Sequence, residues 1–201
     1  MDAPRTDYDL LVGISQQLCL ENQTDSLDWN GSPFQWIKSK PSRTIGAIGE
    51  KMVSRWLEAR GFSIGRSRSS DADRIVNGIP VEIKFSTLWA TGTYTFQQLR
   101  DQRYEFAILL GIAPKDVHCW MLPKNVIMKR WRNNIPSSNG FEPAALGDIV
   151  PQHNAGHGGH DTAWLTFNPY NPPEWLRPFG GTAAEALDAI RSALGNGRKT
   201  S

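Results

Sequence analysis

The sequence is poor in several things, and each shortage excludes something. Of its 201 residues only two are cysteines, Cys19 and Cys119, a hundred positions apart. That is too few for a disulfide framework or a cysteine-rich zinc site, and it suits a reducing compartment. No apolar run approaches the roughly 18 residues a membrane helix needs. The first ten residues carry three aspartates and no basic-then-apolar pattern, so no secretory leader is expected and the expected location is cytoplasmic. There are no internal repeats. Net charge is also small, at +2, which by itself argues against a nucleic-acid partner. What is present is a globular balance, 39% hydrophobic and 21% charged, which excludes wholesale disorder.

The small net charge conceals a strong pattern. Residues 1–40 hold three basic and six acidic groups, and residues 133–190 hold one and six. Residues 41–132 hold fifteen basic and eight acidic, a net +7. The middle of the chain is therefore the place to look for a site facing an anion.

Hydrophobic periodicity predicts a helix over 7–20 and a long loop over 21–43 that packs Trp29, Phe34 and Trp36 on the core. The clearest helix runs over 44–60, capped by Thr44 and ended by Gly61. Its apolar face holds Ile45, Ile48, Met52, Val53, Trp56 and Leu57, with Glu50 at the edge and Lys51, Arg55 and Glu58 facing away. A short strand at 62–64 precedes two runs, 73–76 and 79–85, around the hairpin dipeptide Asn77-Gly78. A helix is expected over 94–104, strands over 106–112 and 116–121, and a basic helix over 123–132. Residues 133–162 read as loop-rich, 163–167 as strand, and NPPEWLRP as extended. Thr182 and Glu185 form a capping box before a last helix over 183–194. These pieces read as one domain: an N-terminal helix and loop (1–43), a core (44–132), and a loop-rich extension with a final helix (133–201).

The hairpin carries the chemistry. A two-residue turn at Asn77-Gly78 pairs Val76 with Ile79, and so Ile75 with Pro80 and Asp73 with Glu82. Alternation then puts Glu82 and Lys84 on one face of the second strand, with Asp73 on the same face. Directly opposed carboxylates repel. A divalent cation would offset that, since paired carboxylates supply hard oxygen ligands and leave positions for water and phosphate. Lys84 could neutralise the pair, orient water or stabilise a phosphate. The plainer reading is an exposed hairpin face with polar residues, but the flanking run IVNGIPVEIKF implies a sheet buried on at least one side. Pro80 falls at a non-hydrogen-bonded pair, where its missing N–H is not needed.

At these residues, Asp73-Arg-Ile-Val-Asn-Gly-Ile-Pro-Val-Glu82-Ile-Lys84, the chain resembles the PD-(D/E)xK nuclease superfamily. GAIGEKMVSRWLEARGF resembles that superfamily's first helix, and the likeness is clearest over 44–122. TFQQLRDQRYEFAILLGIAPKDVHCWMLPK and WLTFNPYNPPEWLRPFGGT are similar to type II restriction endonuclease-like proteins. The chain departs from the pattern at Pro80, and Ala72 stands where a proline usually precedes the first acid.

The resemblance implies an α/β, restriction-endonuclease-like core, a central mixed sheet flanked by helices. It implies hydrolysis of DNA phosphodiesters to 5′-phosphate and 3′-hydroxyl ends with Mg²⁺, Mn²⁺ substituting. Asp73, Glu82 and the Ile83 carbonyl would hold metal, Glu50 would assist, and Lys84 would position the nucleophile. Gln98 would be a supporting glutamine on the following helix. The restriction-type reading further implies a homodimer on duplex DNA and a cognate methyltransferase encoded elsewhere. A structure-specific repair nuclease of the resolvase kind and a non-catalytic DNA-binding module remain alternatives.

Candidate phosphate contacts are Lys129, Arg130 and Arg132 on the basic helix, Arg66 and Arg68 just before Asp73, and Arg43 with Lys38 and Lys40 at the end of the long loop. His153, His157 and His160 sit among glycines and alanine, a poor scaffold for structural zinc. His118 reads as a satisfied interior histidine, and Trp131 is either a DNA-facing or a core aromatic.

Overall fold

The computed structural model describes residues 11–17, 29–67, 71–133, 146–152 and 162–195. Arg68, Cys19 and the His153–His160 segment lie outside them. Residues 11–17 are helical and exposed, in keeping with the helix predicted there. The short helix α1 (Gln35–Lys38) and the long helix α2 (Ser42–Ala59) come next. Within the predicted loop, Trp29 is buried and Phe34 packs beside it, but Trp36 is exposed, contrary to expectation. It sits on a single-turn helix whose one inward residue is Ile37.

Helix α2 starts two residues before the predicted cap. Pro41 is its N-cap, without a side-chain bond, so Thr44 lies inside the helix. Its end is as expected. Gly61 adopts φ +89°, its N–H bonds the Glu58 carbonyl, and the Phe62 N–H bonds the Leu57 carbonyl. That is a Schellman motif, which needs a left-handed residue at this position.

Three strands follow: β1 (Ile64–Arg66), β2 (Arg74–Val76) and β3 (Ile79–Thr87). The hairpin register is as read from Asn77-Gly78: Val76 pairs Ile79, Ile75 pairs Pro80 and Arg74 pairs Val81. Asn77 (φ +49°) and Gly78 (φ +88°) have the positive angles of a type I′ turn. The Asn77 side chain also accepts from the Ser63 N–H (2.9 Å) and donates to the Gly195 carbonyl (3.0 Å), pinning the turn between two segments distant in sequence.

The segment expected to be helical at 94–104 is instead strand β4 (Tyr94–Leu99). Tyr94 and Phe96 alternate inward, and a register shift between Phe96 and Leu99 brings Leu99 in as well. Strands β5 (Phe106–Ile112) and β6 (Val117–Pro123) lead into the basic helix α3 (Lys124–Asn133). Then come β7 (Ile149–Gln152) and β8 (Thr162–Phe167). In NPPEWLRP, Pro173 is extended (φ −58°, ψ 143°), but the residues after it are not. Residues Glu174–Phe179 form a 3-10 helix started by Pro173, which buries Leu176. Strand β9 (Gly180–Thr182) precedes α4 (Ala183–Leu194), where the Thr182–Glu185 capping box is formed as read.

The fold is α/β. A six-stranded mixed sheet has the order β1-β2-β3-β5-β6-β9, with β3 and β5 parallel, and a second sheet has the order β4-β8-β7. On one face of the large sheet, Val53 and Leu57 of α2 and Leu187 and Ile190 of α4 pack on Val81, Ile83, Ile108 and Met121. On the other face, the small sheet, α3 and the 3-10 helix bury Phe96, Ile127, Trp131 and Leu176 against Leu109, Trp120 and Leu122. Both faces of β5 are thus covered, which explains its unbroken apolar sequence. Among the described residues, no helix is long and apolar enough to cross a membrane.

Candidate active site

The site lies where β2 parts from β3. The β2–β3 ladder stops at Arg74–Val81, one residue short of the Asp73–Glu82 pair expected from the register. The Asp73 N–H bonds the Val81 carbonyl (3.1 Å), and its carboxylate accepts the Ile83 N–H at 2.7 Å. Asp73 therefore fills the ladder position that β2 vacates. In a strand the N–H and C=O of one residue point to the same edge, so the Ile83 carbonyl faces the same gap. On its other edge β3 is paired along Val81–Thr87 with β5. Pro80 precedes that ladder, and its carbonyl accepts the Glu105 N–H.

Glu82 and Lys84 project from the face of β3 opposite α2. Glu82 is buried, and its carboxylate meets the Lys84 ammonium at 2.7 Å. Burial pushes the Glu82 carboxyl above its ordinary range. The Lys84 charge opposes the rise, and the Asp73 charge adds to it. Glu50 approaches from α2. Burial and then the Asp73 charge push its carboxyl up, while Arg74 and Lys84 pull it down. Three carboxylates thus share one field.

Gly49 explains how α2 comes close enough to deliver Glu50. A Cβ there would lie 2.3 Å from the Phe85 Cβ of β3. Only glycine permits this approach, one residue from the acid.

Arg74 was not anticipated. Its guanidinium bonds the Asp73 carbonyl (2.6 Å) and the Ser54 hydroxyl (3.1 Å) and meets the Glu50 carboxylate at 3.3 Å. The Ser54 hydroxyl donates in turn to the Glu50 carbonyl (2.7 Å). The network ties the first acid to the helix acid. Tyr104 was also missed. It is buried, its hydroxyl has no partner among the described residues, and burial and then the Glu82 charge push its phenol upward. Lys124 covers its ring (5.5 Å) and is held by Asp101 (2.8 Å) and the Gln102 carbonyl. Arg74 has no sequence signal beyond its place next to Asp73, and Tyr104, twenty residues after Lys84, has none.

Glu50, Asp73, Glu82, Ile83 and Lys84 are therefore brought together. Gln98 is not on a helix: it lies in β4, exposed, at φ +56° within the register shift. Lys129 and Arg132 line a groove of about 810 Å³ with Tyr104, Lys124 and Met128. Arg130 instead stacks on Trp175 at 3.9 Å, and Trp131 is a core residue. Arg43 is exposed in the first turn of α2, and Arg66 is exposed at the end of β1. Lys38 lies over the Trp29 ring (5.3 Å). His118 is satisfied as expected, with Nδ1 2.9 Å from the Tyr94 hydroxyl.

Among the described residues, no three His, Cys, Asp or Glu side chains gather as a ready cage for a metal ion. The candidate donors, the Asp73 and Glu82 carboxylates and the Ile83 carbonyl, are all hard oxygen. That fits a cation bound by one or two carboxylates and completed by water and phosphate, the usual manner of Mg²⁺.

No family model matches the sequence, and no curated protein matches it. Among solved structures, a bacterial homing endonuclease, I-Ssp6803I, aligns with a TM-score of 0.41 and 16% identity, over 76% of this chain and 94% of that chain.

Proposed function

We propose that the protein is a Mg²⁺-dependent endonuclease of the PD-(D/E)xK type that cuts duplex DNA at a short sequence. The observation that carries this reading is the convergence of Asp73, Glu82 and Lys84 at the open end of the β2–β3 hairpin, with Glu50 beside them. Two acids and a lysine in one buried field are costly to maintain without a task.

Asp73, Glu82 and the Ile83 carbonyl would hold the metal, with Glu50 assisting. The bound ion supplies charge neutralisation at the phosphate and a more acidic water. Lys84, anchored by Glu82, is positioned to hold the attacking water and to stabilise charge on the phosphate oxygens. Arg74 keeps Glu50 and Asp73 in mutual register. Lys129 and Arg132, in the groove beside Tyr104, supply phosphate contacts. The expected products carry 5′-phosphate and 3′-hydroxyl ends. One site per chain favours two copies for a double-strand cut, so a homodimer is the expected state. A restriction role would pair the enzyme with a cognate methyltransferase encoded elsewhere.

The test is incubation with a diverse duplex DNA and Mg²⁺, followed by sequencing of the ends. One short motif at the termini is the expected result. Shape-selective ends without a motif would indicate a resolvase-like enzyme instead. Asp73→Ala, Glu82→Ala and Lys84→Ala should each abolish cleavage while leaving DNA binding measurable. Full activity in the Asp73→Ala/Glu82→Ala double variant would refute the mechanism, and cleavage in excess chelator would exclude the metal.

A further inference from the structure

A second charged cavity lies on the α2 side of the hairpin. It measures about 280 Å³ and is lined by Lys51, Ser54, Arg55 and Glu58 of α2 and by Arg66 and Arg74 of the β1–β2 pair. The four α2 residues recur at helical spacing, so one stripe of the helix faces the strands. Arg66 and Arg74 are direct cross-strand partners. Like charges so placed repel, and the sequence tolerates the arrangement at the edge of the large sheet. Arg74 is neutralised in part by Glu50. Among the described residues, no ion pair engages Lys51, Arg55 or Arg66, and all three are exposed. Four cations against one acid in the lining make a positive concavity, and guanidinium groups match phosphate oxygens in shape and charge.

We propose that this cavity binds a backbone phosphate of the DNA, one that flanks the phosphate being cut. The ligand's identity rests on the endonuclease reading. Position supports it: Arg74 belongs to both places, lining the cavity while bonding the Asp73 carbonyl and meeting Glu50. A strand whose scissile phosphate sits at Asp73 and Lys84 therefore passes Arg74 before it reaches Arg66, Lys51 and Arg55. Glu58, the lone acid of the lining, limits how tightly the phosphate is held.

The experiment measures duplex binding by the full chain in EDTA, so that no cutting intervenes, across a salt series. The Lys51→Gln/Arg55→Gln/Arg66→Gln variant should have a higher Kd. Its slope of log Kd against log salt should be shallower by about 0.9, the value for one phosphate contact. Between about 50 and 200 mM salt the wild type should then lose about 3.5-fold more affinity than the variant. Glu58→Gln should act oppositely, lowering Kd, and serves as the second variant if the triple one does not fold. An uncharged methylphosphonate placed next to the cut should weaken binding by the wild type more than by the triple variant, which keeps only Arg74 of the cavity's cations. Wild-type affinity and slope in a folded triple variant would overturn the proposal, as would a methylphosphonate effect equal in both proteins. If the wild type cuts DNA and the triple variant binds as the wild type does, the cavity assignment fails and the nuclease stands. If nothing cuts but the triple variant loses the salt slope, the nuclease reading fails and the phosphate site stands.

Discussion

Replacing Gly49 with alanine opposes two effects of different sign, and the structure says which prevails. In an exposed helix interior, glycine to alanine stabilises by about 1 kcal/mol. Gly46, three residues earlier on α2, is exposed with nothing within 4 Å of an added Cβ. Gly46→Ala should therefore raise stability by about 1 kcal/mol, or roughly 2–4 °C in Tm for a chain of this size. At Gly49 the added Cβ would stand 2.3 Å from the Phe85 Cβ and 2.4 Å from its Cγ. Carbon atoms prefer about 3.5–4.0 Å. The Phe85 Cβ is fixed to the strand backbone, so no rotamer change relieves the clash, and α2 must move outward by about 1 Å. Overpacking typically costs about 1–3 kcal/mol, and this contact belongs at the upper end. After the helix-propensity gain, Gly49→Ala should be destabilised by about 2 kcal/mol, or roughly 4–8 °C. Urea or thermal unfolding of the two variants measures the difference directly. Because Glu50 rides on the displaced turn, cleavage should fall by about 100-fold, the penalty typical of a 1 Å misplacement. A Gly49→Ala protein as stable as Gly46→Ala would refute the close contact and the delivery of Glu50 that follows from it.

Two further outcomes follow from the charges at the site. The folded Glu82 carboxyl titrates above its unfolded value of 4.5. The folded chain therefore keeps a proton that the unfolded chain has lost, and stability falls as pH rises from about that value through the folded one. Glu82→Gln removes this contribution, so its stability relative to wild type should grow as pH rises above 4.5. A difference constant from pH 4 to 8 in urea unfolding would contradict it. Mg²⁺ should raise the wild-type Tm by mass action, with about 2.7 kcal/mol gained at a hundredfold excess over Kd. The Asp73→Ala/Glu82→Ala variant should show no such rise in a thermal scan, and an equal rise in both would place the ion elsewhere.

Local rules made much of this arrangement legible. Asn77-Gly78 specifies a turn with two positive φ angles, and that turn sets the register bringing Asp73 near Glu82 and Lys84. Thr182 and Glu185 locate the start of the last helix because their hydrogen bonds are local. The helix misread at 94–104 has a local cause too. Tyr94, Phe96 and Leu99 point inward, and the shift at Gln98 turns a two-residue period into a step of three, which resembles a helical face. The partner that makes this segment a strand, β8, is far along the chain. Distance in sequence also hid Arg74, whose role depends on α2 supplying Glu50 and Ser54. The prolines of NPPEWLRP suggested extension. Instead Pro173 starts a 3-10 turn, because Leu176 gains a core position there.

The order of strands has a bearing on how two copies could meet. A sheet can extend into a neighbouring molecule only through an outer strand with unpaired backbone groups. Among the described residues, every outer strand here is blunted. In the large sheet, β1 and β9 are three residues long, and β9 lies under α4. In the small sheet, β4 carries the register shift and β7 contains Pro151, which lacks an N–H. Continuous β-pairing between protomers is thereby discouraged, and so is edge-to-edge aggregation. A dimer joined through helix or loop surfaces would leave both sheets undisturbed and the spacing between its two sites free to vary.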